Sequence, residues 1–390
     1  MVKLIKKIIY IFFVLVIIAS LLITAGLSYL LITNYDNLGR AVSVVGLIKA
    51  QTLEPINDEE LIEGAIIGMV GALKDPYSSY LDRDTYKNLQ EKMEGVYGGV
   101  GLLITKDADG NLVVVAPFRG TPAHRAGIVS GDFIVGVNGD KTYDMTLEEA
   151  ASLMQGEPGT DVAITTYREN RGELEIVITR EIITIPTVDG AMLEEYPGVG
   201  YINISMFNEN TGDELERIYN DLQQKGIEML VLDLRNNPGG SLYAAVDVAD
   251  FFIPKGPILY IETKFGTDTY DALNPGIDIP MIVLVNAGSA SASEIVAGAI
   301  QDTGVGILVG EQTFGKGRVQ SVFPLADGAA LKLTTARYLT PSKRDINDKG
   351  IAPDYIVEMT PEDLGAALLN APDVQNDAQL QKALELLKSF

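Results

Sequence analysis

The 390-residue chain has no cysteine and no tryptophan, and its single histidine is His124. Without cysteine there is no disulfide, no thiol nucleophile and no cysteine metal site. One imidazole cannot assemble a zinc site of the usual histidine-rich kind, and any Ser-His-Asp triad would have to be built around that one ring. His124 stands beside Arg125, where a solvated surface ring is the plainer reading. Positive charge is also scarce: 30 Lys and Arg face 53 Asp and Glu, for a net charge of −23. A surface that acidic repels phosphate backbones, which argues against a nucleic-acid partner. No metal and no cofactor is expected, and a hydrolase built from this chain needs a base other than histidine.

What is present begins with an apolar run. Residues 8–32, 25 in all, carry no charge, and a helix of that length exceeds a hydrocarbon core of roughly 30 Å. Lys3, Lys6 and Lys7 precede the run, and Asp36 and Arg40 are the first charges after it. The positive-inside bias then predicts a single-pass anchor in the cell membrane, with the lipid bilayer as a partner of residues 8–32 and the remainder extracytoplasmic. A cleaved signal peptide is the alternative, although Thr24-Ala25-Gly26 offers only a weak cleavage site.

The pattern beyond divides into regions. The N-terminal region, 35–94, is helical: residues 58–73 read as an amphipathic helix closed by Asp75-Pro76, and 84–94 as a short one. Residues 95–182 read as a compact β-rich module. Asn138-Gly139 is a hairpin turn signal there, and Thr146 with Glu149 forms a capping box. From 183 to 360 the texture is α/β. Its segments EMLVLDL and MIVLVN are apolar throughout, as strands buried on both faces are, and Thr211 with Glu214 reads as the cap of a helix ending at Gly226. A helical tail closes the chain over 361–390, and a cytoplasmic stub with the anchor opens it over 1–34.

Two glycine-rich segments carry the chemistry. Asn286–Glu294 (NAGSASASE) sits between a buried strand and a helix, where helix-start N–H groups can face a tetrahedral oxyanion. Taken alone, its serines could be mere caps. The helix that starts at Ser291 rises roughly 18 Å, and the following strand returns about as far, so Lys316 arrives near Ser291. A desolvated lysine can serve as the base for a serine nucleophile. Phe314 and Val319 are expected to line the apolar pocket, and Gln320 to orient the amine. Asp233–Gly240 (DLRNNPGG) ends the neighbouring strand; Gly239 and the N–H of Ala292 read as the oxyanion hole, with an ordinary Pro-Gly turn as the alternative that the motif alone leaves open. Gly310–Gly317 follows the GxxxxGK pattern but lacks the Ser or Thr that would bind Mg²⁺ and precedes a strand, so it is not read as a nucleotide loop.

NAGSASASEI, DLRNNPGG, FGKGRVQ and YLTPSKRDINDKGIAPDYIV, in that arrangement with DPYSSYLD at 75–82, resemble the carboxyl-terminal processing peptidases, the tail-specific serine proteases. The resemblance runs from about Glu59 to Met359. It implies Ser291 as nucleophile, Lys316 as base and Gln320 in support. It also implies a PDZ domain over 95–182, with Gly99, Val100, Gly101 and Leu102 as the carboxylate-binding loop and Leu102–Ile104 taking the substrate tail as an added strand. Gln155 departs from the arginine that relatives often carry before the glycine. The fold class implied is α/β (α+β): a crotonase-like αβ-spiral protease core with an inserted β-rich PDZ domain and an N-terminal transmembrane helix. Protein or peptide C-terminal tails are the expected partners, and relatives imply a homodimer. A non-catalytic PDZ adaptor and a crotonase-like acyl-CoA enzyme are the rival readings.

Overall fold

The computed structural model describes residues 2–107, 109–118, 120–169, 171–359 and 374–389, with the side chains of 2–9, 27–36 and 38 outside the description. The chain separates into residues 1–80 and 81–390. In the first unit, helix α1 (Val2–Gln51) is followed by α2 (Asp58–Gly71), whose N-cap Asn57 accepts from the Glu59 N–H. Strand β1 (Ser79–Leu81) comes next in the chain. Among the described residues no helix is long and apolar enough to cross a membrane. The expected membrane anchor and extracytoplasmic placement are corrected accordingly. The charge-free run is part of one longer helix, which continues beyond it through Asp36, Arg40 and Lys49.

The second unit opens with α3 (Arg83–Glu94), N-capped by the Asp82 carboxylate and closed by Gly95 in the left-handed conformation. Eight strands follow: β2 (Val96–Gly99), β3 (Leu102–Lys106), β4 (Leu112–Pro117), β5 (Phe133–Val137), β6 (Asp140–Lys141), β7 (Asp161–Arg168), β8 (Gly172–Thr179) and β9 (Glu181–Thr184). They are joined by the one-turn helix α4 (Pro122–Arg125) and by α5 (Leu147–Met154), which carries the expected Thr146–Glu149 capping box. Asn138 and Gly139 both have positive φ between β5 and β6, as a tight hairpin turn needs. The sheet runs β3-β4-β5-β7-β8, so β3 is an edge. It closes on a core of Leu112, Val114, Ile134, Val162, Ile164 and Met154. Strands β2 and β9 pair separately as the ribbon that enters and leaves this module.

The remainder is an α/β layer structure. Strands β10 (Val188–Met192), β11 (Val199–Ile204), β12 (Met229–Asp233), β15 (Met281–Val285), β16 (Ile307–Gly310) and β19 (Tyr355–Ile356) form one sheet in that order, parallel except for the β10–β11 pair. Side chains alternate between its faces. Leu230, Leu232, Val283 and Val285 meet α6 (Thr211–Gln224), α7 (Leu242–Phe252) and α8 (Ala292–Thr303). Val231, Ile282, Leu284 and Val309 meet the C-terminal helix, α9 (Ala378–Leu387). The part of the expected tail at 361–373 lies outside the described residues. A second, antiparallel sheet contains β13 (Gly256–Thr263), β14 (Gly266–Ala272), β17 (Arg318–Pro324) and β18 (Ala330–Leu339).

One cap differs from expectation. The N-cap of α6 is Asn210, and Glu214 turns away to accept from the backbone and hydroxyl of Thr187 and from the Val188 N–H. Three donors on a neighbouring strand outbid the local box. Because β12 and β15 are adjacent and parallel, the loops at their carboxyl ends, 234–241 and 286–291, open at the same edge. In parallel sheets ligand crevices form outside these strand ends.

Candidate active site

The three serines of NAGSASASE separate by what their hydroxyls do. Ser289 is buried, donating to the Leu234 carbonyl (2.8 Å) and accepting from the Asn286 N–H. Ser293 is buried and donates to the Asn237 carbonyl (2.9 Å). Both bonds tie this loop to the one following β12. Ser291 alone is partly exposed, and it has φ 55° and ψ −109°, a conformation that costs a non-glycine residue of order 1–3 kcal/mol. It stands at the start of α8, where Ala292 supplies the first of the N–H groups that a helix cannot satisfy internally.

Holding Ser291 in that conformation falls to two buried groups that sequence reasoning does not single out. Tyr338, on β18, donates its hydroxyl to the Ser291 carbonyl (3.1 Å). Glu294, fully buried, accepts from the Ser291 N–H (2.8 Å) and the Lys316 N–H (2.9 Å) with Oε2, and from the Thr313 hydroxyl (2.6 Å) and the Gly315 N–H (2.7 Å) with Oε1. Four donors satisfy one buried carboxylate, as a charge removed from water requires. The N–H groups of the GxxxxGK loop thus do converge on an anion, but that anion is a side chain of the protein itself. Through Glu294 the serine and lysine segments share one anchor.

Lys316 is half-buried in the loop ahead of β17. Burial pushes its amine below the ordinary lysine value, the Lys332 ammonium pushes the same way, and Glu294 opposes both. Burial moves the balance toward the neutral amine, because the ammonium loses solvation there. Val319 packs against the core, and Phe314 is 58% exposed with its N–H donating to the Ser289 carbonyl. Gln320 lies past a bulge between Val319 and Gln320, opposite Thr334, and among the described residues its buried Nε2 has no hydrogen-bond partner. A bulge re-aims the side chain that follows it.

The turn after β12 lies against the loop that carries Ser291. Gly239 has φ +100°, and a Cβ there would come within 2.7 Å of the Ala290 carbonyl and 2.9 Å of the Ala292 nitrogen. No side chain fits, so glycine is required by conformation and by space. Its N–H donates to Asn237 Oδ1 (2.9 Å). Asn286 braces the same turn, accepting from the Asn236 N–H and donating to Asn236 Oδ1.

The β-rich module presents the other expected residues. Gly99, Val100 and Gly101 are buried and Leu102 packs on the module core. Gly101 has φ +78° and its Cβ position is 2.4 Å from Thr121 Cβ, whose hydroxyl donates to the Phe118 (2.7 Å) and Gly101 (3.2 Å) carbonyls. Gln155 is exposed at the end of α5; Arg180, buried, donates to the Met154 and Leu153 carbonyls that close that helix. His124 is exposed, and its Nδ1 accepts only a long bond from the Gly120 N–H (3.4 Å). Among the described residues no group of three or more His, Cys, Asp or Glu is placed to hold a metal ion.

Comparison with known proteins converges on one family. Residues 198–357 match the sequence profile of peptidase family S41, residues 113–168 that of a PDZ domain, and residues 30–85 that of the activating protease CtpB N-terminal domain. The carboxyl-terminal-processing protease of Picosynechococcus sp. is 39% identical over 349 residues, 87% of this chain and 83% of the relative. The carboxy-terminal processing protease CtpA of Bacillus subtilis is 36% identical over 330 residues, 84% and 70% of the two chains. The solved structure of a photosystem II D1 C-terminal processing protease is 32% identical, covers 85% of this chain and 88% of that one, and superposes with a TM-score of 0.50. The chain belongs to the carboxyl-terminal-processing proteases of peptidase family S41, serine proteases that here carry a PDZ domain.

Proposed function

We propose that the chain cleaves proteins near their C-terminal tails with a Ser-Lys dyad: Ser291 as nucleophile, Lys316 as general base and Gln320 as the residue that orients the amine. The observation that carries this reading is the shared carboxylate. Glu294 binds the backbone N–H of Ser291 and of Lys316 with one oxygen, which keeps the two segments side by side. The neutral amine takes the Ser291 proton as Oγ attacks the scissile carbonyl carbon. It then returns that proton to the leaving amine as the C–N bond breaks, takes one from the water that attacks the acyl-enzyme, and gives that proton to Ser291 Oγ as the acyl C–O bond breaks. Ala292 and Gly239 are assigned the tetrahedral oxyanion. For Gly239 to take part, its N–H must leave Asn237.

The domain reading is a PDZ domain over 95–182 and a crotonase-like αβ-spiral core over 183–360. The edge position of β3 supports tail capture, because its outer backbone groups can pair with an added strand while Gly99–Leu102 faces the terminal carboxylate. Leu102 and Ile104 on β3 and Leu147 on α5 favour an apolar tail. The test is cleavage of an unstructured, apolar-ended tail by the full chain. Ser291→Ala and Lys316→Ala should each retain fold by circular dichroism and lose activity by about 10³-fold or more. Undiminished turnover in folded Ser291→Ala, or in folded Lys316→Ala, would refute the dyad.

A further inference from the structure

Immediately before the Asn236–Gly240 turn, the chain buries a cation. Arg235 is 5% exposed, and its guanidinium lies on the sheet face covered by α9, away from the helices α6 to α8. Nε bonds both Asp233 carboxylate oxygens (3.0 Å each), and Nη2 bonds Asp233 Oδ2 (2.5 Å). Nη1 and Nη2 then reach the two Asp377 oxygens at 3.0 and 2.8 Å, and Nη1 also reaches Gln379 Oε1 (3.2 Å). Tyr201 adds its hydroxyl to Asp233 Oδ2 (2.6 Å). Asp377 does a second job, accepting from the Leu380 N–H as the N-cap of α9. Planar guanidinium–carboxylate pairs of this kind fix direction as well as distance.

The clamp is costly for a purely structural fastening. Two carboxylates and one cation leave water, and a hydrophobic contact of the same volume often serves stability as well or better. What an apolar contact cannot do is set the direction of the backbone that follows. The Arg235 N–H itself bonds Asp233 Oδ1 (2.9 Å), so the same carboxylate that receives the guanidinium also shapes the first step of the turn. From there the chain passes Asn236 at φ 57° and reaches Gly239 against Ser291 Cβ and the Ala292 nitrogen. The other face of that turn is braced by Asn286.

We propose that Arg235 and Asp377 are positioning residues for the catalytic turn, so that the C-terminal helix sets the geometry of peptide cleavage from the far side of the sheet. This rests on reading Ser291 as the nucleophile. The turn is held from above by Asn286 and from below by α9, and small displacements of it fall directly on the oxyanion donors, where about 1 Å costs as much as 10²-fold in rate.

The informative variant is Asp377→Asn in the full chain. Asparagine is as good an N-cap as aspartate, so α9 keeps its start while the guanidinium loses one charge and one acceptor. Cleavage of a tailed substrate is measured at a temperature where circular dichroism shows the variant fully folded. The expected result is a fall in kcat of about tenfold with KM within twofold, partial recovery in Asp377→Glu, and a similar kcat loss in Gln379→Ala, which leaves the cap untouched. Wild-type kcat in folded Asp377→Asn, or a loss that disappears once the unfolded fraction is subtracted, overturns the proposal. Ser291→Ala, run alongside, separates the two readings. Activity in that variant removes the nucleophile assignment, whereas a silent Ser291→Ala with a wild-type Asp377→Asn removes only the role of α9.

Discussion

Two glycine turns in this molecule, the proposed oxyanion turn at Gly239 and the proposed carboxylate loop at Gly101, are held in different ways. Around Gly239 almost every polar atom is committed through buried side chains: Asn286 to Asn236, Asn237 to the Ile204 carbonyl, Ser293 to Asn237, and Arg235 to two carboxylates. Around Gly101 the fixing is lighter, consisting of the Phe118 N–H on the Gly101 carbonyl, the Ala123 N–H on the Val100 carbonyl and the Thr121 hydroxyl. The difference matches the two tasks. An oxyanion exists only in the transition state and calls for a frame fixed beforehand; around Gly239 the frame is fixed, and the one adjustment left is the Gly239 N–H, which bonds Asn237 Oδ1. A terminal carboxylate is a ground-state ligand, and a loop that adjusts to it still binds.

The contrast makes four substitutions informative. The largest effect is expected from Glu294→Gln. Either orientation of the amide points an NH₂ at backbone N–H groups that now have an acceptor, so kcat should fall by about 10²- to 10³-fold, read by steady-state kinetics on protein shown to be folded. Gly239→Ala comes next. The added methyl meets the Ala290 carbonyl at 2.7 Å, and displacement of the turn should cost about 10²-fold in kcat with KM little changed. Gly101→Ala is the mirror experiment, since its methyl meets Thr121. Here KM for a tailed substrate should rise about tenfold while kcat stays within twofold. A comparable loss of kcat would dissolve the distinction between the two loops. The smallest change is Lys332→Met. The Lys332 ammonium helps hold the Lys316 amine below its usual range, and the active form is the neutral amine. Removing that ammonium raises the Lys316 value and moves the rising limb of the pH–rate profile to higher pH. Activity at pH 7 should drop by less than about tenfold with the alkaline plateau unchanged.

Much of this arrangement can be read in the chain itself. The Thr146–Glu149 box, the Asn138-Gly139 turn and the uniformly apolar strands β12 and β15 are local patterns, and they fold as such. The approach of the Lys316 loop to Ser291 follows from the rise of α8 and the return of β16. What is not legible depends on partners far along the chain. Nothing near Thr211 shows that Glu214 will serve β10 instead of its own helix start. Glu294 looks like a capping residue, and its bonds to Thr313 and Gly315 depend on tertiary approach. Arg235 finds Asp377 across 142 positions. Buried carboxylates show in a sequence as ordinary acids, and only their donors reveal the work they do. The hairpin β13–β14 is silent for another reason: β14 reads GTDTYDA and is mostly exposed, so it lacks the apolar alternation that marks a strand.

A single side chain grips both partners of the proposed dyad by the main chain, and this limits how the enzyme can be turned off. Separating the two segments would strip the buried Glu294 carboxylate of three donors at once, the Thr313 hydroxyl and the Gly315 and Lys316 N–H groups, an opening that costs several kilocalories per mole. A resting form reached that way would be rarely visited and slow to return. Restraint is cheaper if it acts on rotamers, on the Gly239 peptide or on access to the cleft, so the machinery stays assembled and only its last few torsions need to be released.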